Sequence, residues 1–332
     1  MNTFAPPQNQ LKQLWHDSEI VPKHPRVRFG TVDNQAVVIH RRVQRSSATR
    51  ADADNETQRL LFLAKYAPQS HVLAVEEHFF LCKFVDGICC DKLTFSPSLI
   101  KQIAQEFKQL WHIETEQTKA PQARRERPII EPLGIQELTA TPLKALYVGR
   151  RHRALVLTAQ ALIRSSKTSE RFIHGDLKLD NLIQTTKNGI SVIDWECSGI
   201  GLPEEDIGSF LASIMFYALA RSTRTAMTHP DFLANNTGSA LTERDLQHEI
   251  SISMRNAQNL SVRFLSAVNS LGVEIDKLAL SGAVFISLLC RLQGAIIAGS
   301  APTIVAVVES SLSTIADSGL TAFASWLEGQ EV

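Results

Sequence analysis

Phe172-Ile173-His174-Gly175-Asp176-Leu177-Lys178-Leu179-Asp180-Asn181, followed by Ser191-Val192-Ile193-Asp194-Trp195-Glu196, is the stretch on which the reading of the fold turns. Between its two polar clusters lies a hairpin signal. Leu182-Ile183-Gln184-Thr185 and Ile190-Ser191-Val192-Ile193 have strand composition, and Asn188-Gly189 between them tolerates positive φ in a tight turn. The hairpin folds the chain back, so Asp176, Asn181 and Asp194 are expected on the same side of it. Three oxygen-bearing side chains gathered this way suit a hard cation such as Mg²⁺, which prefers carboxylate and carbonyl oxygen and keeps some of its water. The bland alternative is a polar turn with a buried Asp cap.

His-Gly-Asp, an Asn five residues after the Asp, and Ile-Asp-Trp-Glu with its Asp thirteen residues after the Asn resemble the catalytic core of the aminoglycoside phosphotransferase and choline kinase group. The resemblance implies an α+β, protein-kinase-like two-lobed fold: a small, mainly antiparallel β lobe over 1–83 that binds nucleotide, and a larger helical lobe over 84–332 that carries the catalytic loop and acceptor site. It implies that Asp176 is the general base or orienter of a substrate hydroxyl, and that Asn181 and Asp194 hold Mg²⁺ on the ATP phosphates. Lys178 is placed to reach the transferring phosphate, and is the residue type that protein Ser/Thr kinases keep there.

Elsewhere the same resemblance is uneven. Glu56 matches the helix Glu that pairs a phosphate-binding Lys. Counting back, however, reaches Ala36-Val37-Val38-Ile39-His40, which puts His40 in the Lys position with Arg42 as a possible substitute whose fork is wider than an ammonium. The turn expected to cover the phosphates, Val21-Pro22-Lys23-His24-Pro25-Arg26, contains no glycine. Close backbone approach to phosphate usually needs one, so Lys23 or Arg26 would supply charge from a stiffer loop. Leu81-Cys82-Lys83-Phe84-Val85-Asp86-Gly87 looks like the hinge, with Cys82, Lys83 and Phe84 lining the adenine slot.

Composition bounds the function class. The chain has 332 residues, 44% hydrophobic and 20% charged, with a formal net charge of zero. That is ordinary globular composition, and bulk charge points to neither nucleic acid nor a membrane surface. Five cysteines show no metal-ligand spacing, so a reduced, cytoplasmic setting is expected, and the first ten residues lack the apolar run of a signal peptide. Leu278–Ser300 is apolar but interrupted by Arg291 and Gln293, which favours a buried helix over a membrane span.

Along the rest of the chain, Val27–Val32 and Ala36–Ile39 read as strands around an Asp33-Asn34-Gln35 turn, Asn55–Ala64 as helix, and His71–Val75 and His78–Phe84 as further strands. Apolar spacing predicts helices over Pro97–Glu114, Ala154–Ile163, Ser209–Ala220, Asp245–Leu271, Leu278–Ile297 and Pro302–Leu327, with a polar loop over Ser222–Thr242. His112 reads as a buried structural histidine, and Asp206 as an N-terminal helix cap beside Glu204 and Glu205; the resemblance implies that the same Asp supports the catalytic loop. Residues 119–153 are the most basic part of the chain. A charge run is commonly a solvated face; as a functional surface it favours an acidic acceptor or an acidic partner protein.

The expected activity is ATP- and Mg²⁺-dependent transfer of the γ-phosphate to a hydroxyl of a small metabolite or natural product. Two alternatives stay open. One is a Ser/Thr kinase acting on a peptide, supported by Lys178 and the basic region. The other is a catalytically degenerate nucleotide-binding pseudokinase, motivated by His40 and the glycine-free turn.

Overall fold

A computed structural model describes residues 10–20, 27–41, 50–76, 79–113, 120–124, 128–130, 140–187, 189–228 and 243–330. The chain opens with α1 (Gln10–Asp17), β1 (Glu19–Ile20), β2 (Val27–Val32) and β3 (Gln35–Arg41), then α2 (Arg50–Tyr66), β4 (Val72–Val75) and β5 (Phe79–Lys83). The strands form one antiparallel sheet in the order β1-β2-β3-β5-β4. Asp33 and Asn34 take positive φ of 48° and 63° between paired Val32 and Gln35, the two-residue turn whose twist matches the strands it joins.

Alternation gives this sheet two faces. Val37, Ile39, Phe79 and Leu81 pack with Leu11 and Trp15 of α1 into a small core. Register places Phe29, Val38 and Cys82 abreast on the opposite face, with His40 beside Phe80. Leu60, Phe62 and Leu63 of α2 join a second, much larger core, where Phe62 stacks on Phe172 at 5.5 Å.

Beyond β5 come β6 (Gly87–Cys89) and α3 (Pro97–Trp111). α3 starts where expected because Ser96 accepts from Leu99 N at 3.1 Å and Pro97 occupies the first turn. α4 (Ala140–Arg151) and α5 (Arg153–Arg164) lead into β7 (Arg171–Ile173). The predicted hairpin is β8 (Leu182–Thr185) with β9 (Ile190–Val192), and it forms a three-stranded sheet with β6. β10 (Gly199–Gly201) pairs with β7. Four long helices complete the chain: α6 (Pro203–Thr228), α7 (Glu243–Ser270), α8 (Lys277–Ile297) and α9 (Pro302–Leu327), the last kinked at Gly319.

Among the described residues α8 is the one helix long and apolar enough to cross a membrane. It is buried among α5, α6, α4 and α9 instead. Its polar Gln293 is paid for by three hydrogen bonds, to Ile129 O, Ala145 O and from Ile129 N, at 2.8–2.9 Å.

Two expectations need correction. Ser222–Thr228 continue α6 rather than beginning a loop; Ser222 and Thr223 both donate to Leu219 O at 2.9 Å, so their hydroxyls are satisfied inside the helix. Residues 229–242 of that predicted loop lie outside the described residues. His112 is exposed at the end of α3, where its Nδ1 lies 2.7 Å from Lys108 O.

Candidate active site

The loop between β7 and β8 carries three of the predicted side chains, and its shape is held by a carboxylate from α6. Asp206 is fully buried and accepts from His174 N and Gly175 N at 2.9 Å each and from Trp111 Nε1 at 3.1 Å. Burial pushes its pKa up to about 7, against the pull of those three donors. Asp206 already lies inside α6 and so does not cap that helix; it supports the loop backbone, as the resemblance implies. Glu204 and Glu205 are likewise committed locally. Glu204 accepts from Thr168 Oγ1 and Asp276 N, and Glu205 from Leu202 N.

His174 is fully buried and its Nε2 lies 2.9 Å from Ile193 O, tying the loop to the segment that carries Asp194. Burial drives its pKa down to about 4, so it is neutral at physiological pH and works as a structural strut. Gly175 has φ of 82°, and a Cβ there would sit 2.4 Å from Cys197 O, so only glycine fits.

Asp176 and Lys178 form an ion pair at 2.7 Å, both mostly shielded from solvent. Burial pulls the Lys178 pKa down, but Asp176 with Asp180 and Asp194 outweighs it, and the net direction is up. Asn181 is buried; its Nδ2 donates to Asp176 O at 2.9 Å, and its carbonyl accepts from Ile193 N at 3.0 Å. Those two bonds join Asp176, Asn181 and the residue before Asp194 into one unit. Asp194 itself adopts the left-handed conformation (φ 65°, ψ 57°), which a non-glycine residue occupies at a cost of about 1–2 kcal/mol. Such strain aims its carboxylate independently of the strand it follows. The residue keeps exposed surface while protein packs around its carboxylate. That enclosure raises its pKa to about 6, with Glu196, Asp176 and Asp180 adding to the rise and Lys178 opposing it.

Asp180 Oδ1 is buried without a hydrogen-bond partner. Three carboxylates, Asp176, Asp180 and Asp194, thus gather around Lys178. That imbalance, with an amide oxygen at Asn181, is a donor set suited to a divalent cation whose remaining ligands are phosphate and water. Among the described residues no group of three or more His, Cys, Asp and Glu forms an all-protein metal cage.

The sheet side of the cleft is apolar. Burial pushes the Cys82 thiol pKa up to about 12, and Asp194 adds to the rise. Phe84 lies T-shaped to Phe29 with ring centroids 5.5 Å apart; both rings are partly exposed. Phe29 had no signal beyond its place in an alternating strand. The N–H of Lys83 donates to His71 O and that of Phe84 to Ala36 O. These two bonds tie the expected hinge to the loop before β4 and to β3. His40 stacks on Phe80 (4.4 Å, 10°), and burial lowers its pKa to about 4. Facing a phosphate it would offer a neutral ring and no charge. Lys23, Arg26 and Arg42 lie outside the described residues; Glu56 lies in α2 with its side chain outside them.

Two features escaped the sequence reading because they join distant segments. His71 Nε2 contacts Ser191 Oγ at 2.7 Å, linking the small sheet to β9. A cavity of about 370 Å³ adjoins Gly175, with Arg124, Arg164 and Ser287 on its walls.

Comparison with known proteins agrees with this geometry. The model of the phosphotransferase enzyme family (APH) matches residues 23–234. No curated protein matches the chain. Among solved structures, the choline kinase LicA from Streptococcus pneumoniae superposes with a TM-score of 0.53 at 12% identity, over 90% of this chain and 92% of its own. Plasmodium vivax ethanolamine kinase gives 0.52 at 14%, over 89% and 83%. Choline kinase from Cryptosporidium parvum Iowa II gives 0.52 at 16%, over 91% and 89%. The α+β fold is thus protein-kinase-like, and the chain belongs to the phosphotransferase enzyme family, as a phosphotransferase with an alcohol group as acceptor.

Proposed function

We propose that the protein moves the γ-phosphate of ATP, with Mg²⁺, to a hydroxyl of a small metabolite or natural product. The observation that carries this reading is the unit formed by Asp176, Asn181 and the Asp194 segment, closed by Asn181 Nδ2–Asp176 O and Ile193 N–Asn181 O. Phosphoryl transfer asks a protein for in-line positioning and charge neutralisation more than for covalent chemistry. In this reading Asp176 accepts a hydrogen bond from the acceptor hydroxyl and takes its proton as the oxygen attacks. Lys178, held on Asp176, lies close enough to offset charge developing on the transferring group. Asn181 and Asp194 would hold Mg²⁺, which neutralises phosphate charge when bound. The base would sit between Val38 and Cys82 on the sheet side, beside the Phe29–Phe84 pair. The neighbour LicA has also been solved in complex with AMP, in a structure matching at a TM-score of 0.50 and 12% identity. All five cysteines are free thiols, in keeping with a cytoplasmic setting. An acceptor of small-molecule size suits the cavity beside Gly175 better than a peptide does.

Asp176→Asn tests the assignment. Transfer should fall by about 10²–10⁴-fold, while thermal stabilisation by ATP with Mg²⁺ persists. Asp194→Asn should remove the Mg²⁺-dependent part of that stabilisation. Undiminished transfer in Asp176→Asn would sink the role given to it. A wild-type protein that binds ATP yet never releases the γ-phosphate, even to water, would leave a pseudokinase.

A further inference from the structure

Among the described residues, the basic region before α5 meets the segment that follows Asp194 at Pro121–Arg124. Pro121–Arg124 is strapped to the segment after Asp194 by Ile200 N–Pro121 O, Ala123 N–Ile200 O and Arg124 N–Cys197 O, at 2.8–3.0 Å. Three backbone bonds fix where Arg124 begins, and it lands on the wall of the cavity beside Gly175. Arg164, in the last turn of α5, lies on the same wall. Cations outnumber acids there two to one: Glu205 is the single carboxylate on the wall, and one of its oxygens already accepts from Leu202 N.

A second observation is independent of charge. Ser287 of α8 is 5% exposed and lines the cavity, adding a hydroxyl to the wall that carries the two arginines. Ile163, Ile173 and Ile286 add apolar surface beside the polar Gln160 and Ser209.

We infer that this cavity holds the anionic end of the acceptor, an alcohol that also carries a carboxylate or phosphate group. Arg124 and Arg164 recognise the anion, which guanidinium groups bind by paired, charge-assisted hydrogen bonds. Ser287 donates to it or to a neighbouring oxygen, and the isoleucines take the hydrocarbon between anion and hydroxyl. Gly175 borders the cavity and Asp176 is the next residue, so in this inference the acceptor's hydroxyl end would lie toward Asp176. This rests on the phosphotransfer reading above and adds the acceptor's charge to it.

The test measures transfer from ATP to matched pairs: glycerate against glyceramide, γ-hydroxybutyrate against its amide, and glycerol phosphate against glycerol. The wild type should favour the anionic member of a pair. Arg124→Gln with Arg164→Gln should cut that preference by about tenfold or more through KM, as expected for lost hydrogen bonds to a charged group. Arg164→Lys, which keeps the charge, should restore part of it. Ser287→Leu, which fills the cavity, should raise KM for the preferred acceptor and gives a second reading should the arginine variants unfold. A preference for the acid over the phosphate, or the reverse, tells which anion is native. Transfer that is equally good to the neutral member of each pair, with no change in the arginine variants, overturns the inference and leaves the phosphotransferase intact. Absence of any Asp176-dependent release of γ-phosphate, even to water, would instead defeat the underlying reading.

Discussion

The two sides of the cleft are held by different means. Around Asp176 the chain is fastened by polar contacts that cross between elements: α6 to the loop through Asp206, the loop to the Asp194 segment through His174 and Asn181. Around His40 the contacts are aromatic and apolar, with His40 stacked on Phe80 and Phe29 against Phe84. A carboxylate that must meet a reacting hydroxyl within tenths of an ångström needs directional bonds on rigid neighbours. A surface that grips a flat base needs area and shape, which rings supply without fixed direction. The contrast predicts that polar substitutions on the loop side harm both folding and chemistry, while the sheet side tolerates exchanges that keep a ring.

The largest effect is expected at Asp206. Asp206→Ala leaves His174 N, Gly175 N and Trp111 Nε1 buried without an acceptor, so unfolding free energy should drop by about 4 kcal/mol or more. Chemical denaturation measures it directly. A loss under about 1 kcal/mol would mean that the loop holds its shape without α6, and the contrast between the two sides would collapse.

Gly175→Ala comes next. The positive φ and the approach of Cys197 O to within 2.4 Å of a Cβ oppose any side chain. The carbonyl there belongs to backbone and already accepts from Arg124 N, so it gives way only by loosening the strap. About 2–3 kcal/mol of stability should go, with a drop in kcat at least as large as that in kcat/KM. A variant as stable and active as the wild type would show that the loop is softer than its bonds suggest.

How much of this was legible in the sequence follows from how local each feature is. The β8–β9 hairpin and the spacing of Asp176, Asn181 and Asp194 could be read because turn chemistry and alternation act within a few residues. Pro302–Leu327 could be read because Pro starts a helix and apolar spacing sustains it. α6 beyond Ala220 could not: Ser222 and Thr223 look like loop residues until their hydroxyls are seen bonded to Leu219 O. Asp206 looked like a cap because an acid at a helix start usually is one; that its carboxylate serves the loop came only from the family resemblance, because the contact joins distant segments. The cavity was hidden for the same reason, since Arg124 and Ser287 are brought together only by the strap onto β10 and the packing of α8.

The smallest effect tests the sheet side, at the position where the family keeps a Lys. His40 has a folded pKa of about 4 against an ordinary 6.5. Between those values the unfolded chain binds more protons than the native one, so the His40 contribution to stability is full above pH 6.5 and is lost as pH falls toward 4. His40→Phe keeps a ring on Phe80 and removes the proton. Going from pH 7 to pH 5, the wild type should therefore lose on the order of 1 kcal/mol more stability than the variant, with the fully buried His174 contributing equally to both. At pH 7.5 the variant's KM for ATP should stay within about threefold of the wild type, because a neutral imidazole brings no charge to the phosphates. A tenfold rise in that KM would show the ring hydrogen-bonding to phosphate. The sheet side would then be directional too, and the division between a polar, fastened face and an apolar, gripping one would fail at the position where this chain departs most from its family.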